Sequence, residues 1–201
     1  MKFNINHILL LFMAGIQLSC SYSKKFTTGY YEENRKDFQS VYQQYKGIFA
    51  KKPFAFHMKG NTFNQASLEI ITDTMEYIYN FDLNEKKIID TLVKYRFDTL
   101  TVQQLIKDMQ SLNCTWITKL DYFENRQKKY LVFISVRHKK LESLFKPTKY
   151  FTLAFFEEPQ PSDTEGRLQD RKNKKNLRKI NGANFYRIND KLFYSLSRNF
   201  R

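Results

Sequence analysis

A thiol beside an imidazole is the most reactive pair this chain could assemble, because a protonated histidine lowers the thiolate pKa and turns cysteine into a nucleophile. The chain holds two cysteines and three histidines. Residues 114–123 and 129–138 alternate like the arms of a hairpin around Glu124-Asn125-Arg126-Gln127-Lys128. With Phe123 opposite Lys129, Cys114 falls directly opposite His138, with Cβ atoms about 5 Å apart on one face. A slip of one residue in that register separates the pair to opposite faces. The same face would carry Trp116, Leu120, Tyr122, Tyr130, Val132, Ile134 and Val136. That company equally describes a buried structural cysteine with a histidine at the sheet edge.

Other chemistries leave fainter marks. The chain has no glycine-rich phosphate loop, no Gly-x-Ser-x-Gly elbow and no His-Glu-x-x-His helix. Two cysteines are too few for a thiolate zinc site, and no metal or cofactor is expected. Two acidic groups, Glu157-Glu158 and Asp121 with Glu124, could exchange protons. A strand end and a hairpin loop are also ordinary places for solvated carboxylates. Arg167, Arg171, Lys172, Lys174, Lys175, Arg178 and Lys179 form a basic run interrupted only by Asp170 among the acids. Each such cation contributes on the order of 1 kcal/mol beside an anionic membrane, within about a Debye length. The run is therefore a candidate anionic-surface binder, or else a solvated loop.

These side chains need elements to hold them. Phe38, Val41, Tyr42, Tyr45, Ile48 and Phe49 recur at helical steps, so residues 31–50 should form an amphipathic helix ended by Lys51-Lys52-Pro53. A short strand fits between Phe54 and Phe63, before the turn at Lys59-Gly60-Asn61. Residues 67–97 fit two patterns. Leu68, Ile71, Met75, Ile78 and Tyr79 would line a helix. A hairpin pairing Phe81 with Ile89, Tyr79 with Thr91, Tyr77 with Val93 and Met75 with Tyr95 matches the aromatic and β-branched alternation better. Thr101-Val102-Gln103-Gln104 reads as a capping box opening a helix with Val102, Leu105, Ile106, Met109 and Leu112, stopped at Asn113.

Leu131-Val132-Phe133-Ile134 is apolar on both faces, which predicts a central strand. Lys149 to Glu157 reads as a buried strand, and residues 158–182 as a basic, mobile loop. Asn184–Ile188 and Leu192–Arg198 form a hairpin about Asn189-Asp190-Lys191. The sum is an α+β fold: an N-terminal amphipathic helix and a second short helix packed on a mainly antiparallel sheet built from hairpins.

The chain opens with one lysine, Lys2, then the apolar run Ile8 to Leu18. Eleven helical residues rise about 16 Å, roughly half a bilayer's hydrocarbon core, which describes an export signal rather than a span. Gln17-Leu18-Ser19-Cys20 resembles the lipobox of bacterial lipoprotein precursors. That resemblance covers the first twenty residues only. It implies cleavage before Cys20, acylation of Cys20 and a membrane anchor. The implied organisation is a signal over 1–19, a lipidated tether over 20–30 and one α+β domain over 31–201. By the same resemblance the protein would sit at the outer membrane, facing the periplasm of a Gram-negative bacterium. The departure from the usual lipobox is Gln17, where an aliphatic residue is the rule. Cleavage after Ser21-Tyr22-Ser23 is the alternative, yielding a soluble exported chain. Under either cleavage Cys114 loses its one possible intramolecular partner and is safest buried.

At 201 residues, 42% hydrophobic and 16% aromatic, with 6 Gly and 4 Pro, the composition excludes a disordered or collagen-like chain. The net charge is +14. An exported chain whose aromatics belong to strand faces is not expected to bind nucleic acid. The expected function is a non-enzymatic interaction module at the membrane surface that binds a protein or an anionic envelope component. The alternative is a small exported enzyme using Cys114 and His138. The oligomeric state stays open.

Overall fold

A computed structural model describes residues 27–60, 62–72, 74–124, 126–137, 150–169 and 185–197. The chain divides between Phe38 and Gln39. In the N-terminal unit residues 27–33 are helical and Asn34 makes a turn, its side-chain amide donating to the Tyr30 carbonyl at 2.9 Å. Tyr31 stacks on Phe38 at 5.8 Å. Helix α1, Arg35–Phe49, starts here and continues into the second unit.

The second unit is built on one antiparallel sheet of eight strands. In chain order these are β1 (Phe54–Lys59), β2 (Gln65–Ile71), β3 (Glu76–Asp82), β4 (Cys114–Glu124), β5 (Gln127–Arg137), β6 (Tyr150–Phe156), β7 (Tyr186–Asn189) and β8 (Leu192–Ser197). Across the sheet the order is β3-β2-β1-β4-β5-β6-β8-β7. Helices α2 (Lys86–Lys94) and α3 (Thr99–Ser111) connect β3 at the edge back to β4 in the middle. The mixed α+β class, the antiparallel sheet, the central position of β5 and the β7–β8 hairpin all agree with the sequence reading.

Residues 67–97 depart from it. β3 is a strand, but its partner is β2, with Ala66 opposite Phe81, Leu68 opposite Tyr79 and Ile70 opposite Tyr77. Residues 86–94 are helical and bury Ile88, Thr91 and Leu92, leaving Ile89 and Val93 exposed. The alternating set Ile89, Thr91 and Val93 competes with the helical set Ile88, Thr91 and Leu92, spaced three and four apart, and burial chose the helical one. The capping box is also displaced. Asp98, not Thr101, caps α3: its carboxylate accepts from the Thr101 N–H at 3.1 Å and the Thr101 hydroxyl at 2.8 Å. Asn113 does end that helix, in the left-handed region at φ 53°.

The β4–β5 register is one residue from the expected one. Glu124 pairs with Gln127 and Phe123 with Lys128, so the loop is two residues long, with Arg126 at φ 65°. An irregularity between Cys114 and Trp116 then shifts the pairing again, so Cys114 faces Val136. Shortening the loop moved every partner by one, as the period of two requires.

Both faces of the sheet centre are buried. On one, Tyr42 of α1 stacks on Phe155 at 4.8 Å, and Tyr45 packs on Phe54 at 4.9 Å while its hydroxyl donates to the Phe54 carbonyl at 2.6 Å. Gln44 reaches the Asp108 carboxylate at 2.6 Å and so ties α1 to α3. On the other face Trp116, Tyr122, Phe133, Phe156 and Phe193 pack with Phe185 and Leu168. The first part of the expected mobile loop belongs to this core. Ser162 bridges Leu168, Arg167 bridges Tyr186, and Gln160 is buried with its amide donating to the Tyr122 hydroxyl at 3.3 Å. Residues 170–184 lie outside the described residues.

Candidate anion-binding cavity

Between the end of α1 and the middle of β4 and β5 lies a cavity of about 300 Å³, lined by Tyr45, Lys46, Phe49, Pro53, Lys119, Tyr130 and neighbours. Its position follows from the sheet. Ile117, Lys119 and Phe123 alternate onto the face that α1 covers, so Lys119 enters where a central strand would ordinarily place an apolar side chain. The ammonium is held between two rings, 4.4 Å from the Phe49 centroid and 4.9 Å from the Tyr130 centroid. Such cation–π contacts each contribute about 0.5–2 kcal/mol, more where water is excluded.

The acid beside it is shared. Asp121 sits 3.2 Å from the Lys119 ammonium and 2.9 Å from Lys128. Partial burial pushes its carboxyl up, but the hydrogen bonds from Lys128 and Lys119 outweigh that and hold it below the usual carboxylate range. On the α1 side, the neighbouring Tyr130 and Tyr42 phenols raise the Lys46 ammonium above the ordinary lysine range. Burial raises the Tyr42 phenol in turn. The lining is thus mostly apolar, with two lysines and two tyrosines as its polar residues, and the Asp121 carboxylate stands behind Lys119, shared with Lys128. An apolar group that ends in negative charge would complement this arrangement. Pockets of this size lie at the small end of those that hold ligands.

Of the residues singled out in the sequence, Cys114, Asp121, Glu157, Glu158 and Arg167 are described, and they occupy separate places in the fold. Cys114 is completely buried and burial pushes its thiol up, opposite to what a thiolate nucleophile needs. The expected partner, His138, lies outside the described residues, and the observed register gives Cys114 Val136 instead. Glu158 pairs with Lys129 at 3.7 Å, and Asp121 is taken by its two lysines. In the basic run only Arg167 is described: its guanidinium pairs with Glu165, and its backbone N–H donates to Asp163 at 2.8 Å. Arg171, Lys172, Lys174, Lys175, Arg178 and Lys179 lie outside the described residues, as does Cys20. No group of three or more potential metal ligands occurs among the described residues.

Lys46, Phe49, Lys119 and Tyr130 were not singled out as a site from the sequence. One local signal did exist. Lys119 is a cation two residues after Ile117 in a long strand beside the strand that holds the apolar run Leu131–Ile134. No protein-family model, curated protein or solved structure matches this chain.

Proposed function

We propose that this chain is an exported, lipid-anchored envelope protein that binds and performs no bond-making step. The helices cover one face of a sheet built largely from hairpins, and the binding site opens at the end of that cover. The ligand class is an anionic amphiphile, a phosphate or carboxylate carried on a hydrocarbon body. One observation carries the reading: a largely apolar cavity of about 300 Å³ lined by Phe49, Pro53 and Val132 together with Lys46, Lys119, Tyr45 and Tyr130, in which lysines are the charged residues. Among the described residues no helix is long and apolar enough to cross a membrane. The anchor in this proposal is the acylated Cys20 of the lipobox-like Gln17-Leu18-Ser19-Cys20. With two acyl chains or more, such an anchor holds firmly.

Calorimetric titration with a soluble short-chain lipid tests the site. Dihexanoyl phosphatidylglycerol should bind and its choline counterpart should bind more weakly. Lys46→Gln with Lys119→Gln should reduce binding of the anionic lipid roughly 30-fold at low salt, at about 1 kcal/mol for each lost charge. Equal binding of both lipids, or an unaffected double variant, refutes the site. For the anchor, the intact mass of protein from the native membrane fraction should match acylated Cys20 to Arg201 and be lost in Cys20→Ala.

A further inference from the structure

The two edges of the sheet are built in opposite ways. At one end β7 is only four residues long, and the preceding segment runs along it: Arg167 bridges Tyr186, the Arg187 N–H donates to the Gly166 carbonyl at 2.7 Å and the Leu168 N–H to Phe185 at 2.7 Å. That edge is short and covered, as edge strands usually are. At the other end β3 is seven residues long and pairs in unbroken register with β2. Among the described residues no strand pairs with its outer side. Its sequence, Glu-Tyr-Ile-Tyr-Asn-Phe-Asp, has none of the proline, lysine or bulge that protect an open edge. The side chains beside it are apolar and exposed: Tyr77 and Ile78 on the strand, Met75 before it and Val93 on the adjoining α2.

We propose that the β3 edge is a docking strand, which a partner protein extends by adding an antiparallel strand. The proposal extends the binding-module reading by naming a second surface and its partner, and it does not depend on the cavity. The partner's chemistry follows from charge and alternation. Glu76, Ile78, Asn80 and Asp82 share one face of β3, so its two acids stand at the two ends of that face. The nearby Lys59 ammonium is engaged by the Asn80 side chain at 2.6 Å. Tyr77 and Tyr79 line the other face beside Tyr95 of the α2 terminus. The incoming strand therefore carries lysine or arginine at each end of a seven-residue stretch and apolar side chains at alternate positions between them. A second copy of this chain paired along the whole strand would set Glu76 against Asp82 at both ends, and like charges directly opposite destabilise a strand pair. The partner is thus a different chain with a basic-ended strand.

Displayed random peptides selected on the full chain in detergent, followed by hydrogen exchange, test this. The expected binders carry a cation at each end of an alternating apolar stretch and slow amide exchange over residues 76–82. Ile78→Lys should weaken them about tenfold or more, because a lysine on the strand face repels the basic ends. Ile78→Thr should retain binding, as should Lys46→Gln with Lys119→Gln, which separates failure here from failure of the cavity. Recovery of no binder, binders that protect other segments, or binders without the terminal cations would overturn the proposal. So would protection of residues 76–82 that grows with protein concentration alone, which would identify the occupant as a second copy.

Discussion

Ser135, Thr152 and Ser195 lie directly opposite one another across β5, β6 and β8, fully buried, and their hydroxyls find no hydrogen-bond partner. A hydroxyl buried this way costs about 1–3 kcal/mol against an apolar group of the same shape. Thr152→Val should therefore stabilise the fold by about 1 kcal/mol, seen as a higher urea midpoint with an unchanged slope. An unchanged or lower midpoint would mean that these hydroxyls are satisfied. Cys114, buried on a neighbouring strand, should label negligibly with a thiol reagent in the native protein and fully in denaturant. Fast native labelling would restore the enzyme alternative.

At the scale of elements, single side chains fasten helices to strands. Asp98 closes the first turn of α3, and the hydrogen bonds from the Thr101 backbone and hydroxyl hold its carboxyl below the usual range. The stabilisation this gives is present above the ordinary aspartate pKa and is lost as pH falls through the lowered folded value. Asp98→Ala should thus lower the thermal midpoint at neutral pH and converge with the parent in acid, while Asp98→Ser retains much of the cap. The Tyr79 and Tyr95 hydroxyls meet at 2.5 Å and join β3 to the end of α2. That hydrogen bond pushes the Tyr95 phenol up to about 12. A raised folded pKa gives stability that is complete below the ordinary tyrosine value and is lost between about pH 10 and 12. Tyr95→Phe should flatten the alkaline fall in stability, though not abolish it, because burial also raises Tyr194 to about 12.

Over the whole molecule, the net charge is unevenly distributed along the chain. The described residues are close to charge balance, so nearly all of the +14 lies in residues 1–26, 138–149, 170–184 and 198–201. Under the proposed function, electrostatic attraction to an anionic membrane would come mainly from these segments, and the cavity would add specific contacts. Arg171, Lys172, Lys174 and Lys175 changed together to Gln should weaken binding to phosphatidylglycerol vesicles at low salt and reduce its salt dependence. Binding of the soluble lipid in the cavity should not change. Loss of both together would place the two functions at one site.

The sequence by itself determined the features that depend on a local period. The amphipathic stripe of α1, the doubly apolar run of β5, the β7–β8 hairpin and the helix stop at Asn113 each follow from a pattern of two, three or four residues. The burial of Cys114 followed from its strand neighbours in the same way. Tertiary structure decided which strand β3 would pair with, and that residues 86–94 would be helical. Both alternatives satisfied the local pattern, and only the burial available from β2 and from α3 separated them. It also decided the register at Cys114, because a loop two residues long rather than five shifts every cross-strand partner. The cavity was the least legible of all. Lys46 and Phe49 come from α1, Lys119 and Tyr130 from the β4–β5 hairpin much later in the chain, and their meeting depends on how α1 lies across β4 and β5. No spacing in the sequence encodes that placement, because it arises from rings and hydrocarbon stems packing over a shared core.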